Sequence, residues 1–112
     1  MQRRNFILVF TLLPSLAVAQ RRPVVKLVAL SSGEVRADDR VVDLATLDQL
    51  LGKLKQDDGA VWYYRQNAST EPPPQALEAI KLIVKYSLPV SMSTKPDFSD
   101  YVDASGNSQT RK

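Results

Sequence analysis

The run Trp62-Tyr63-Tyr64-Arg65 carries the side chains of this chain that are best suited to recognition. Indole and phenol rings combine a large apolar area with a hydrogen-bonding tip, so they can stack on sugar rings or on a partner protein. Neighbouring side chains on a strand face opposite ways, and at least one of these rings is therefore expected in the core. The outward-facing members are candidate partner-binding residues.

The chain has no histidine and no cysteine, which removes most catalytic and metal-binding chemistry. Ser-His and Cys-His nucleophile pairs cannot form, and the commonest ligands of zinc and copper are missing. The paired aspartates Asp38-Asp39 and Asp57-Asp58 lack the alternating oxygen ligands and distal glutamate of a calcium loop, so turn and capping roles are expected. Carboxylate, lysine or tyrosine chemistry remains, but no converging pair can be named. We therefore expect no enzyme, no cofactor and no metal site.

The elements that position the aromatic run follow from periodicity. Residues 24–30 are rich in β-branched side chains and end at Ser31-Ser32-Gly33, which predicts a strand and a turn. Residues 34–37 predict a second, weaker strand that ends at Asp38-Asp39. Residues 60–65 predict a short aromatic strand, and the alternation in residues 90–94 predicts a last strand with one buried face.

Two helices are predicted between these strands. Five leucines at spacings of three and four predict the first helix, with Asp43 as N-cap and Asp57-Asp58-Gly59 as its end; they are Leu44, Leu47, Leu50, Leu51 and Leu54. The second helix is expected to open near Pro74 or Gln75 and to end before Pro89. Its predicted apolar stripe is Leu77, Ile80 and Ile83 or Val84.

The order strand, strand, helix, strand, helix, strand predicts an α/β (α+β) two-layer sandwich, with a mixed four-stranded sheet and both helices on one face. Right-handed crossovers would make each helix-connected pair of strands parallel. The other face is then uncovered and carries Lys26. It also carries either Val61, Tyr63 and Arg65 or Trp62 and Tyr64 from the aromatic strand. The predicted partner-binding residues are Trp62, Tyr63, Tyr64, Arg65 and Lys26.

Residues 1–19 have the layout of an export signal: two arginines, an uncharged apolar stretch and an Ala-x-Ala end. We expect cleavage after Ala19, a periplasmic or secreted product and no stable membrane span, because residues 6–19 are too few to cross a bilayer. The short apolar leader fits the general secretory route better than the twin-arginine route that Arg3-Arg4 also resembles. Without these two arginines, 13 basic residues face 12 acidic ones, which gives no case for nucleic-acid binding.

The sequence thus divides into a signal peptide (residues 1–19), a domain (residues 20–96) and a C-terminal tail (residues 97–112). The tail is polar and rich in turn formers, so most of it, and residues 104–112 above all, is expected to be disordered. Phe98, Tyr101 and Val102 could fold back on the sheet edge or form a short linear binding patch. Folding back is favoured because apolar groups beside a domain tend to be buried.

The run from Val24 to Thr94 resembles the periplasmic domain of the ExbD/TolR biopolymer-transport family. The resemblance lies in Val-Val-Lys-Leu-Val-Ala-Leu at residues 24–30, Arg-Val-Val-Asp-Leu-Ala-Thr-Leu-Asp-Gln-Leu at 40–50, Val-Trp-Tyr-Tyr-Arg at 61–65 and Val-Ser-Met-Ser-Thr at 90–94. It implies a bacterial cell-envelope protein that dimerises and contacts partner proteins; the TolR branch also associates with peptidoglycan.

Two departures limit what the resemblance implies. The acidic residue of the family's transmembrane helix has no counterpart, because residues 6–19 contain no carboxylate. Arg65 is followed by Gln66 and Asn67 in place of an Arg-Ala-Asp-like segment. We therefore expect an exported, non-enzymatic interaction module that binds a partner protein or itself through the open sheet face or a strand edge. The alternative is a peptidoglycan or small-ligand binding domain of the cell envelope.

Overall fold

A computed structural model of the protein describes residues 22–111; the predicted signal peptide of residues 1–19 and its cleavage after Ala19 lie outside them. The described chain forms the helices α1 (Leu44–Gln56) and α2 (Pro74–Lys85). Its strands are β1 (Val24–Ala29), β2 (Val35–Ala37), β3 (Arg40–Val42), β4 (Ala60–Arg65), β5 (Val90–Ser93), β6 (Asp100–Val102) and β7 (Ser108–Thr110). No helix in residues 22–111 is long and apolar enough to cross a membrane.

The main sheet of this α+β fold has five strands, in the order β3-β2-β1-β4-β5, and not the predicted four. The additional strand is β3, which pairs antiparallel with β2. Asp38 and Asp39 connect them with φ angles of 49° and 70°, the positive values that both central residues of a type I′ hairpin turn require. A strand of three residues is too short to show a recognisable alternation of apolar and polar side chains. The sequence therefore predicted the turn at Asp38-Asp39 but not β3.

The additional strand changes which neighbours run parallel. We predicted that α1 joins a parallel pair made by β2 and β4, but β2 is antiparallel to β1, and β4 lies beside β1 and parallel to it. The β2–β3 hairpin reverses the chain once more before α1 begins, so the crossover returns to the far side of β1. The second crossover, from β4 through α2 to β5, gives the predicted parallel pair.

Both helices pack on the same face of the main sheet, and their buried side chains join those of β1, β2 and β4 in one core. The core cluster comprises Val25, Leu27, Ala29, Val35, Ala37, Leu47, Leu51, Leu54, Val61, Tyr63, Ala76, Ala79, Ile83 and Leu88. Burial of apolar area on this scale is the main stabilising contribution in a chain with no disulfide bonds.

Helix α1 matches its prediction. Leu47, Leu51 and Leu54 are buried, and Leu44 and Leu50 pack against the same core. The Asp43 carboxylate accepts a hydrogen bond of 2.7 Å from the Thr46 N–H, which satisfies one free amide of the first turn. At the other end the Gly59 N–H donates to the Leu54 carbonyl over 2.9 Å, so the predicted end of the helix is also confirmed.

Helix α2 begins at Pro74 as predicted but turns a different stripe to the core. Ala76, Ala79 and Ile83 are buried, whereas Leu77 is 49% exposed and Val84 is 69% exposed. Alanines three residues apart let the helix lie close to its neighbours, and this packing leaves the larger side chains on the outer flank. Of the two alternatives for the last position of the stripe, Ile83 is the buried one, and Ile80 packs against the core as predicted. The predicted core position of Leu77 is wrong.

The C-terminal segment is ordered up to Arg111, unlike the predicted disordered tail. β6 and β7 form a two-stranded antiparallel sheet in which Tyr101 is opposite Gln109. The Asp103 carboxylate closes the connecting turn by accepting hydrogen bonds from the Ser105 and Asn107 N–H groups. Polar turn residues that suggested disorder thus form a hairpin, because a partner strand and a fixed carboxylate satisfy their backbone amides. We call residues 97–111 the C-terminal clasp.

Candidate functional site

The predicted partner-binding residues lie on both faces of the main sheet. Tyr63 is a core residue, 5% exposed, and burial raises the pKa of its phenol. Trp62 and Tyr64 are half-buried on the opposite face. Lys26 is exposed on that same face, where the register places it beside Trp62. Arg65 lies on the same face of β4 as Tyr63, two residues further along the strand. The five residues therefore do not form one continuous surface.

Trp62 is covered by the C-terminal clasp. The guanidinium carbon of Arg111 lies 3.8 Å from the centre of the indole ring, and the Phe98 ring lies 6.3 Å away at a tilt of 36°. The ammonium group of Lys26 lies 5.5 Å from the same ring. The sheet face that the sequence predicted to be uncovered is therefore closed over β4 and β5, and Phe98 has folded back as expected, onto this face.

Arg111 holds the clasp on the sheet through hydrogen bonds as well as stacking. Its Nη2 donates to the Ser93 hydroxyl over 3.0 Å, to the Ser91 hydroxyl over 3.3 Å and to the Asp100 carbonyl over 2.9 Å. Its Nε donates to the Phe98 carbonyl over 3.0 Å. A planar guanidinium can serve several acceptors while its face remains on an aromatic ring. Arg111 thus links the clasp to β5 and to Trp62.

Asp100, the first residue of β6, anchors the clasp and is only 2% exposed. Its carboxylate accepts hydrogen bonds from the Thr94 N–H over 3.0 Å, the Thr94 hydroxyl over 2.5 Å and the Ser108 hydroxyl over 2.7 Å. The hydrogen bond from the Thr94 side chain is the largest reason why the pKa of Asp100 falls to about 2. Three donors thus keep this carboxylate ionised at the junction of β5, β6 and β7.

Arg65 organises the loop that follows β4. Its Nη2 group donates to the backbone carbonyls of Ala68 and Thr70, and the Thr70 hydroxyl donates to the Asn67 carbonyl over 2.7 Å. These bonds hold residues 67–70 in a compact turn. The guanidinium is therefore engaged with its own loop, which forms one wall of the cavity described next.

An apolar cavity of about 560 Å³ lies between α2, the end of β4 and β5. We call it the β5 groove. It is lined by Tyr63, Tyr64, Arg65, Asn67, Ala68, Pro72, Ala76, Leu77, Ile80, Met92, Ser93 and Thr94. Its volume falls within the range of small-ligand pockets.

The β5 groove opens beside a strand edge that pairs with no other strand of residues 22–111. β5 ends the main sheet, and its ladder to β4 includes the Val61 N–H donating to the Pro89 carbonyl. In this parallel register the backbone groups of Ser91 and Ser93 face β4, so those of Val90 and Met92 face away from it. The burial of the side chains is opposite to what the apolar alternation indicates: Ser93 is buried, while Val90 and Met92 are 45% and 43% exposed.

Exposed apolar side chains concentrate around this edge. Among the described residues, the large exposed hydrophobic side chains are Val41, Leu77, Val84, Val90 and Met92, and all but Val41 belong to α2 or β5. The i, i+7 spacing of Leu77 and Val84 places them on one stripe of α2. Val90 and Met92 share the helix-side face of β5, because they pair with the core residues Val61 and Tyr63. Clusters of this kind mark binding surfaces.

A cluster of Asp48, Lys85 and Tyr86 joins the two helices. The Asp48 carboxylate accepts hydrogen bonds from the Tyr86 hydroxyl and, over 3.1 Å, from the Lys85 ammonium. The bond from Tyr86 and then that from Lys85 lower the pKa of Asp48, and the bond to Asp48 raises the pKa of Lys85. These shifts hold the carboxylate ionised and the lysine protonated, the opposite of what a general acid or a lysine nucleophile needs.

Within residues 22–111, no three acidic side chains come together in an arrangement that could hold a metal ion. The sequence did not indicate the β5 groove, because its defining residues looked like core residues. Leu77 and Met92 both fit apolar periodic patterns, and only the position of β5 at the sheet edge leaves them exposed. Arg111 also lacked a signal, since a lone arginine near a chain end is usually solvated.

No protein-family model matches the chain, and a comparison with curated proteins gave no significant match.

Proposed function

We propose that this domain is a non-enzymatic interaction module that binds an extended segment of a partner protein, or of a second copy of itself, at the β5 edge. The observation that carries this proposal is the concentration of exposed apolar side chains, including Leu77 and Met92, around an apolar groove. The groove lies beside the outer edge of β5, which pairs with no other described strand. A strand added there would gain main-chain hydrogen bonds from β5 and a pocket for alternate side chains.

The proposed docking geometry follows from the register of β5. An added strand would pair with the outward backbone groups of Val90 and Met92. Its side chains on the helix side would enter the β5 groove beside Leu77, and those on the other side would lie near the clasp. We therefore expect the bound segment to carry apolar residues at alternate positions.

We favour a strand edge over the open sheet face as the binding surface for two reasons. The clasp covers Trp62, and Arg111 already occupies the face of its indole ring. Arg65 is engaged with its own loop. Trp62 and Arg65 therefore stabilise the clasp and the loop after β4, and we do not expect them to contact the partner through the open sheet face. Tyr64 contributes to the wall of the β5 groove.

The resemblance to the ExbD/TolR family supports the same proposal, since an exported module of the bacterial cell envelope with a partner-binding habit is what it implies. Two helices on one face of a mixed sheet are compatible with it. Because of this resemblance, we also propose that the protein belongs to the family, is located in the periplasm and binds partner proteins there. A test of location is the processing of residues 1–19 on expression in a Gram-negative host.

The binding proposal is tested with Met92→Lys and Leu77→Lys. Both side chains are exposed, so the variants should fold, while a lysine at either position would place a charge in the groove. Val41→Lys is the matched control, because Val41 is an exposed valine on the opposite edge strand, β3. Binding partners are selected from a display library of random peptides, and self-association is followed by sedimentation velocity.

We expect the selected peptides to carry alternating apolar residues and to shift the amide resonances of Val90 and Met92 in NMR spectra. Met92→Lys and Leu77→Lys should abolish peptide binding or self-association, and Val41→Lys should leave both unchanged. A protein that stays monomeric at every concentration, and whose selected peptides shift no resonance of β5, would contradict the proposal.

A further inference from the structure

A second cavity, of about 490 Å³, lies on the sheet face away from the helices. Its floor is formed by β1 and β2, where Val28 pairs with Arg36 in the register. One wall is the β2–β3 turn with Asp38 and Asp39, and the other is the clasp loop with Asp97 and Phe98. The clasp therefore does more than cover Trp62, since it also completes a pocket on the remainder of this face.

Two cations line this cavity, Lys26 and Arg36. The Lys26 ammonium lies over the Trp62 and Phe98 rings, whereas Arg36 has no polar partner among the described residues. Its side chain is half-buried, yet within residues 22–111 it makes neither a side-chain hydrogen bond nor an ion pair within 4.0 Å. A guanidinium has five donors in a fixed planar fork that matches a carboxylate. A half-buried guanidinium without an acceptor thus indicates a place for an anionic group.

The walls of the same cavity carry the opposite charge. Asp38 uses one carboxylate oxygen to accept from the Lys26 N–H over 2.9 Å, and Asp97 uses one to accept from the Ser99 N–H over 3.0 Å. Among the described residues, no donor reaches the second carboxylate oxygen of Asp38, and Asp39 makes no side-chain hydrogen bond. These carboxylates lie on the β2–β3 turn and on the clasp loop, which line the cavity together with Arg36 and Lys26.

We propose that this cavity binds a small zwitterion of the α-amino acid type, either a free amino acid or a short peptide. The ligand carboxylate would pair with Arg36, and its ammonium group would lie against the carboxylates of the walls. An apolar side chain would contact Val28 and the Phe98 ring. The charge pattern, with Arg36 and Lys26 beside three wall carboxylates, favours a ligand with both charges over a simple anion or cation. This site is separate from the β5 groove and does not depend on the function proposed for that groove.

The probes are L-leucine, N-acetyl-L-leucine, L-leucinamide and the dipeptide Leu-Leu. N-acetyl-leucine lacks the ammonium group and leucinamide lacks the carboxylate, so each removes one of the two proposed contacts. Binding is measured by titration calorimetry and by the emission of Trp62, the only tryptophan of the chain. Trp62 is a suitable reporter because Lys26 and Phe98, which line the cavity, both approach its ring.

We expect leucine or Leu-Leu to bind, with N-acetyl-leucine and leucinamide each at least about tenfold weaker. Stronger binding of leucine identifies a free amino acid as the ligand class, and stronger binding of Leu-Leu identifies a peptide. Arg36→Ala should weaken the tighter ligand at least about tenfold. The matched control, Arg40→Ala, removes an exposed arginine that the register places on the other face and should leave affinity unchanged.

Circular dichroism and the unfolding midpoint establish that both variants are folded. The proposal is overturned if neither zwitterion binds the unmodified protein, or if the acetylated and amidated compounds bind as tightly as leucine. It is also overturned if a folded Arg36→Ala variant retains full affinity. Loss of β5 binding in the Met92→Lys variant would not alter any of these results, so the two proposals fail independently.

Discussion

The guanidinium of Arg111 lies flat against Trp62, with 3.8 Å between its central carbon and the centre of the indole ring. The two residues are separated by almost half the chain, and they close the C-terminal clasp over the main sheet. The contact brings together a cation–π interaction and several charge-assisted hydrogen bonds on a single side chain. The ordered state of the clasp therefore depends strongly on this arginine.

Replacing Arg111 should release the clasp. We expect Arg111→Ala to lower the free energy of unfolding by about 1–3 kcal/mol, since it removes the stacking contact and the hydrogen bonds to β5 and the clasp backbone. The emission maximum of Trp62 should move to longer wavelength as the ring becomes hydrated. Urea unfolding followed by fluorescence measures both effects, and Arg40→Ala serves as a control arginine. Unchanged emission in Arg111→Ala would show that the clasp stays closed without it.

The stripe of α2 gives a second prediction. Ala79 is fully buried, so Ala79→Leu should overpack the core and destabilise the protein by about 1–3 kcal/mol. Leu77 is half exposed on the outer flank, so Leu77→Ala should change stability by only about 0.5 kcal/mol or less. Thermal unfolding measures the two variants side by side. The reverse ranking would mean that α2 turns the stripe predicted from the sequence to the core.

Gly59 gives a third prediction, because it lies where α1 ends and β4 begins. A Cβ atom at this position would clash with the Leu54 side chain and lie 2.8 Å from the Pro23 carbonyl oxygen. We expect Gly59→Ala to cost about 3 kcal/mol or more, since the obstruction includes backbone. Gly106→Ala is the comparison, because a Cβ there meets nothing within 4 Å but φ is +86°. It should cost about 1 kcal/mol, and equal unfolding midpoints for the two variants would refute the steric argument.

The sequence predicted those parts of the fold that depend on long, local patterns. Helix α1 follows from its leucines, its Asp43 cap and its Gly59 end, which lie within one continuous stretch. What the sequence missed depends on the position of an element in the sheet. β3 is too short to show a period, and Met92 alternates like a core residue but lies on an edge strand that the helices do not cover.

The candidate site was harder to predict for the same reason. The aromatic run marked β4, but alternation alone left open which rings face the core, and burial of Tyr63 settles it. The β5 groove combines residues of α2 and β5 whose exposure depends on the rotation of α2. The clasp depends on Arg111 meeting Trp62, a contact between distant positions that no local pattern encodes.

The last prediction concerns the pH dependence of the clasp. The folded-state pKa of Asp100 is about 2, below its ordinary value of 3.8, so its hydrogen bonds contribute stability that is fully present above the higher value. That contribution should fall as pH decreases from 3.8 and be lost below about 2, because protonation weakens the bonds from Thr94 and Ser108. Asp100→Asn keeps the size of the side chain but never carries the charge.

We therefore expect the Asp100→Asn variant to be less stable than the unmodified protein at neutral pH. The difference between their urea midpoints should shrink as pH falls from 3.8 to about 2. Asp43, Asp48, Asp97 and Asp103 also have lowered pKa values and titrate in both proteins, so only the difference reports on Asp100. A difference that stays constant down to pH 2 would show that Asp100 acts through its shape and not through its charge.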